Sequence, residues 1–379
     1  MKHKIVSIVT SVLTVLTATS APFSAMAVDK AADYTINDYT TAESFYNRVV
    51  LSKAWQQSVD RAERGEMVQL PAYLVDRLTT DALVEAVLDY PFFCDVYAFD
   101  DVQVGVDLMM EHFNGVQELA DRDDVASVLL DKYCDEEILT DASADSDVLR
   151  LTNMEILMSQ DFVTTKFSKK EKCKFVKTVA SKMEEKAASP VYGEYTNGLL
   201  FDLLENNSAD SALLSDMAEA RDRASEGYVT TPNGTRVPTY VNETEPLTQA
   251  QINSFDASCA SAYPNAVKLR SASKKYNCHS YAWYSTSSSN KHWMNNPVAY
   301  VNDGSYVGAN SIVSGRKAVY VAKNSPQYAN GYPIHSAIVH SYSNNVLTMR
   351  SKWGSCGLYR HVWSDSPYTY YCLGFFQRA

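Results

Sequence analysis

The chain has 379 residues, and its 46% hydrophobic content is that of a globular protein, which excludes a disordered or collagen-like chain. A formal net charge of -11 hides an asymmetry, because residues 251–379 hold 12 Lys and Arg against 3 Asp and Glu, leaving the acidic surplus to the residues before them. The seven cysteines form no CxxC pair, so the spacing carries no zinc or haem signature, and neither a metal nor a cofactor is expected.

In chain order, Lys2, His3 and Lys4 precede an apolar run from Ile5 to Leu16 that is too short to span a bilayer. Ala25-Met26-Ala27 then supplies the small-x-small pattern of a cleavage site. Residues 1–27 therefore read as an export signal, with a secreted mature chain beginning near Val28 and no membrane segment after cleavage. About 350 residues remain, more than one core ordinarily supports, so two domains are expected. An odd cysteine count in an exported chain leaves at least one thiol over; Cys356 and Cys372 are the best placed disulfide pair.

Residues 28–188 read as an acidic helical domain. Apolar residues recur at three and four in Ala82–Leu88 and Val125–Leu130, and polar residues at Thr79-Thr80-Asp81 and Asp121–Asp124 mark helix starts. Residues 189–240 are rich in turn formers, including Thr231-Pro232-Asn233-Gly234, and read as a linker holding a short helix at 213–225. From 241 to 379, strand-like runs appear at 318–322, 335–342, 346–352, 358–363 and 370–376, after a short helix that starts at Cys278 with Asn277 as its cap. The expected class is α+β: helices first, then a short helix packed on an antiparallel sheet.

A thiol is a nucleophile only as thiolate, and a helix N-terminus and a nearby imidazole both lower its pKa. Cys278 has the first device by position. His279, next in sequence, is expected to project away from a helix-terminal sulfur, whereas His335 opens a strand from which its ring leans toward the helix start. His340, five residues on, falls on the opposite face.

Cys278 opening a helix, followed by a strand beginning His335-Ser336-Ala337-Ile338-Val339, resembles the NlpC/P60 and CHAP hydrolases, papain-like enzymes that cut peptidoglycan peptides. The resemblance covers about 276–363. It implies a papain-like domain with Cys278 as nucleophile and His335 as base, and a third polar residue on a following strand to orient the imidazole. A two-residue hairpin after His340 puts Lys352 on the face of His335, and a three-residue turn puts Ser351 there. Lysine offers only donors, so the candidates are Ser351 and His361, with His361 placed first and Asp365 in reserve. At Arg316 the sequence departs from the Gly-Asp with which such families usually open a strand.

Tyr276, Trp283 and Trp353 are the expected substrate-binding aromatics, since aromatic faces suit sugar rings and a basic balance suits anionic polymers. The expected partner is peptidoglycan or an anionic cell-wall polymer, not nucleic acid, and the oligomeric state is left open. The expectation is a cysteine peptidase or amidase, with a non-catalytic wall-binding module or an acyl transferase as alternatives. The opposite charges of the two halves further predict a salt-sensitive attraction between them.

Overall fold

A computed structural model of the chain describes residues 41–141, 147–192, 225–321 and 333–379. The export signal over 1–27 lies outside the described residues, as does nearly all of the helix expected at 213–225.

The N-terminal part is helical, as its periodicity predicts, with long helices at Val102–His112, Val125–Asp135 and Lys169–Ala188. The Thr79 hydroxyl caps the helix Thr80–Leu88 by accepting the Ala82 N–H at 3.2 Å. Ser168 and Glu171 form a reciprocal capping box at the start of Lys169–Ala188. Asp124 does not cap its own helix. Its carboxylate accepts the Thr80 hydroxyl at 2.6 Å, tying two helix starts together.

Among the described residues ten strands follow: β1 (Ser225–Thr230), β2 (Arg236–Val241), β3 (Val267–Arg270), β4 (His292–Trp293), β5 (Tyr306–Gly308), β6 (Lys317–Val321), β7 (Pro333–Ser343), β8 (Val346–Lys352), β9 (Leu358–Val362) and β10 (Cys372–Arg378). The fold is α+β. Seven strands make one sheet in the order β3-β9-β8-β7-β6-β10-β5, with antiparallel neighbours throughout. A second sheet, β1-β2-β4, takes in the later half of the segment read as a linker. The Pro232-Asn233-Gly234 turn there closes a hairpin, with Gly234 at φ +90° where a side chain would be strained.

The two faces of the large sheet have different companions. Ala318, Tyr320, Ala337, Val339, Met349 and Phe375 continue the hydrophobic core of the N-terminal helices. Val319, Ile338 and Leu358, on the other face, pack with Tyr281, Trp283 and Tyr300. The acidic and basic parts of the chain thus meet through a shared apolar core rather than through exposed charge. Within the same contact Trp55 Nε1 donates to the Ser261 carbonyl at 3.1 Å, and Arg64 forms a fully desolvated ion pair with Asp365. Gly354 marks a tight approach of the two parts: at φ +43°, a Cβ there would lie 2.3 Å from the Tyr97 carbonyl oxygen.

Candidate functional site

Cys278 opens a helical turn that continues as a π-helix over Ser280–Tyr284. Asn277 caps it, its Oδ1 accepting the Ser280 N–H at 3.0 Å, as its sequence position predicts. The same oxygen accepts the Met294 N–H at 3.1 Å, which fixes the cap to the next segment. The Cys278 thiol is 1% exposed, and the backbone N–H groups of Ser336 and His279 bond to it. Burial, and after it the charge of Asp100, push the thiol well above its ordinary pKa against the pull of those two N–H groups.

Asp100 is the residue that sequence reasoning missed. It follows the 3-10 turn Phe93–Ala98, in the part read as an acidic helical domain, and the tertiary fold delivers it to the Cys278 turn. Donor atoms of Asp100, Cys278 and His279 lie within 4.8 Å of one another. Asn277 Nδ2 donates to Asp100 Oδ2 at 2.7 Å, while Oδ1 is buried without a hydrogen-bond partner. The side chain as a whole keeps 21% exposure. Burial raises its pKa to about 7, with the Asn277 hydrogen bond acting in the opposite sense.

His279 lies beside the sulfur, contrary to its expected outward projection. Its Nδ1 is 2.8 Å from the Ser336 hydroxyl, which also accepts Trp283 Nε1 at 2.9 Å, and the ring bonds the Pro333 carbonyl. Burial holds its pKa down at about 3, so it is neutral.

The structure does not join His335 to Cys278. Alternation along β7 gives Ser336 the face under the cysteine turn and sends His335 to the other, where its ring stacks on Tyr368 with centroids 3.5 Å apart. Neither His335 nitrogen has a hydrogen-bond partner, and burial drives its pKa well below the ordinary value. Tyr368 is near enough to Cys278 and Asp100 for their charges to raise its own pKa, after the larger effect of its burial.

Ser351 and His361 prove to be partners of each other. The β7–β8 hairpin has the two-residue turn Asn344-Asn345, with φ of 50° and 61°, which alone would set Lys352 on the His335 face. An irregularity between Val339 and Ser341 shifts the register by one, so Ile338 faces Arg350 and Ser351 joins the His335 face. His361 on β9 shares that face, opposite Met349. His361 Nδ1 donates to the Val362 carbonyl at 2.8 Å, which leaves Nε2 to accept the Ser351 hydroxyl at 2.8 Å, and Ser351 in turn accepts Trp353 Nε1 at 3.0 Å. This chain is complete and touches no ring nitrogen of His335. Lys352, on the opposite face, donates to the carbonyls of Ser273, Gly354 and Cys356. Asp365 is occupied by Arg64.

The aromatics expected to bind substrate are interior: Tyr276 accepts from Arg270, Trp283 bonds Ser336, and Trp353 stacks on Tyr359 with centroids 4.2 Å apart. Cys356 and Cys372 do not pair; each holds a free thiol. No protein-family model, curated protein or solved structure matches this chain.

Proposed function

We propose that the chain is a cysteine hydrolase of amide bonds in which Cys278 is the nucleophile and Asp100 the proton acceptor. The observation that carries this reading is the pairing of a thiol at a capped helix start with a carboxylate whose Oδ1 is buried and unpaired. A base performs best with a pKa near the working pH, and that of Asp100 is about 7. In the reaction the thiol proton passes to Asp100 as sulfur attacks the carbonyl carbon. The N–H groups of His279 and Ser336, which bond the sulfur, stabilise the thiolate as it forms. The amine leaves with the proton from Asp100, giving a thioester. Water then attacks while Asp100 takes its proton, and the carboxylic acid and free thiol are released.

The order of a helix-opening cysteine and a strand carrying His335 near its start supports a papain-like ancestry, as the resemblance implies, with the catalytic base relocated. Peptidoglycan peptides are the proposed substrate, on that resemblance and on the basic surplus of residues 251–379, which suits an anionic polymer. Secretion, read from residues 1–27, is the matching location. One observation favours a second reading, a non-catalytic wall-binding module: the Cys278 thiol is nearly inaccessible.

The test is digestion of purified peptidoglycan, with mass spectrometry of the released peptides, by wild type, Cys278→Ala and Asp100→Asn. Release by wild type alone supports the hydrolase. Release by Cys278→Ala would end it, and wall binding without release, together with no labelling by a thiol-directed electrophile, would establish the binding module.

A further inference from the structure

Three other cysteines, far apart in sequence, converge. Cys94 lies in the 3-10 turn Phe93–Ala98, Cys259 in the helix Gln249–Ala262, and Cys356 in the connection from β8 to β9. All three are buried free thiols in the core shared by the N-terminal helices and the sheet. The turn and the helix pack with backbones within 8 Å, and Cys356 Sγ lies 3.8 Å from the Cys94 carbonyl oxygen. The Cys259 thiol is close enough to those of both Cys94 and Cys356 for each to act on its protonation.

We infer that Cys259 is the shared partner of two alternative disulfides, Cys94–Cys259 and Cys259–Cys356. The two bonds have different consequences. Cys94 belongs to the N-terminal helical part and lies six residues before Asp100, so its bond to Cys259 ties the segment carrying Asp100 covalently to the C-terminal part. The bond between Cys259 and Cys356 lies within the C-terminal part and leaves that segment held by packing alone.

Formation needs an oxidant, and a low-molecular-weight disulfide supplies it: two protein thiols and one disulfide RSSR give one protein disulfide and two RSH. Interchange needs none. The Cys356 thiolate attacks the Cys259 sulfur of the Cys94–Cys259 bond, the new S–S bond forms as the old one breaks, and Cys94 leaves as thiolate to take up the proton Cys356 gave. The neighbouring Cys356 and Cys94 thiols lower the Cys259 pKa well below that of an ordinary thiol, which favours Cys259 as the first to react.

The experiment equilibrates the reduced full-length chain with glutathione buffers of rising oxidised fraction, quenches with acid and alkylating agent, and maps peptides without reduction. Wild type should give both Cys94–Cys259 and Cys259–Cys356 linked peptides. Cys94→Ser should keep only the second and Cys356→Ser only the first, with circular dichroism confirming that each variant is folded. The exposed thiol of Cys173 reports that the oxidant is active. If Cys173 is glutathionylated while Cys259 remains a thiol, or if the bond found is Cys94–Cys356, the inference is overturned.

Discussion

The His335 imidazole lies flat on the Tyr368 ring, with planes 10° apart and centroids separated by 3.5 Å, and neither of its nitrogens is hydrogen-bonded. A buried polar atom without a partner costs about 1–3 kcal/mol. His335→Phe keeps the stacked shape and removes both nitrogens, so it is expected to stabilise the fold by an amount on that order. Urea midpoints measure this. Turnover should stay within a few-fold of wild type, because Asp100 is the proposed base; a fall on the order of 10²-fold would return that role to His335.

Asp100→Asn separates two properties of the thiol. Removing the carboxylate charge lowers the Cys278 pKa, so the rate of alkylation near pH 8 should rise several-fold. Hydrolysis should fall on the order of 10²-fold or more, since no group takes the thiol proton. Parallel alkylation and hydrolysis assays decide it, and a variant hydrolysing at the wild-type rate would remove Asp100 from the mechanism.

The His361 pKa is lowered from 6.5 to about 4 by burial. In that window the unfolded chain binds a proton that the folded chain does not. The stability contributed by the neutral ring is therefore complete above pH 6.5 and lost as pH falls toward 4, at a limiting slope of about 1.4 kcal/mol per pH unit. His361→Gln, whose amide can still meet the Ser351 hydroxyl, should flatten the stability curve by about that slope. Denaturant unfolding from pH 7 to 4.5 provides the comparison. Parallel curves for the two proteins would mean that His361 titrates normally.

Arg64→Ala leaves the Asp365 carboxylate buried without its cation and should destabilise the protein by about 3–5 kcal/mol. Screening acts on exposed charges, so raising salt from about 0.1 M to 1 M should scarcely loosen the contact between the helical part and the sheet. Limited proteolysis across that range tests it, and salt-induced cleavage between the two parts would restore the electrostatic attraction that the charge distribution first implied.

Local signals were legible in the sequence. Asn277 before Cys278 predicts a capped helix start because the cap is a contact between residues three apart, and it forms at 3.0 Å. The run 346–352 predicts β8 with its observed bounds, and the four other strand-like runs fall on β6, β7, β9 and β10, because alternation and turn residues are read over a few positions.

Register and distant apposition were not legible. One irregular residue between Val339 and Ser341 exchanges Lys352 for Ser351 on the His335 face, and nothing in the local pattern announces it. The same alternation that made β7 recognisable also divides Ser336 from His335, and only the seating of the cysteine turn on the sheet decided which of them it met. Asp100 reaches Asn277 across 177 residues, and Cys94, Cys259 and Cys356 gather from three separate elements. The sequence by itself determined where elements start, what class they form and which side chains have chemistry to offer. Tertiary packing decided which of those side chains meet, because burial of a shared apolar core, a property of the whole chain, sets the distances between residues far apart in sequence.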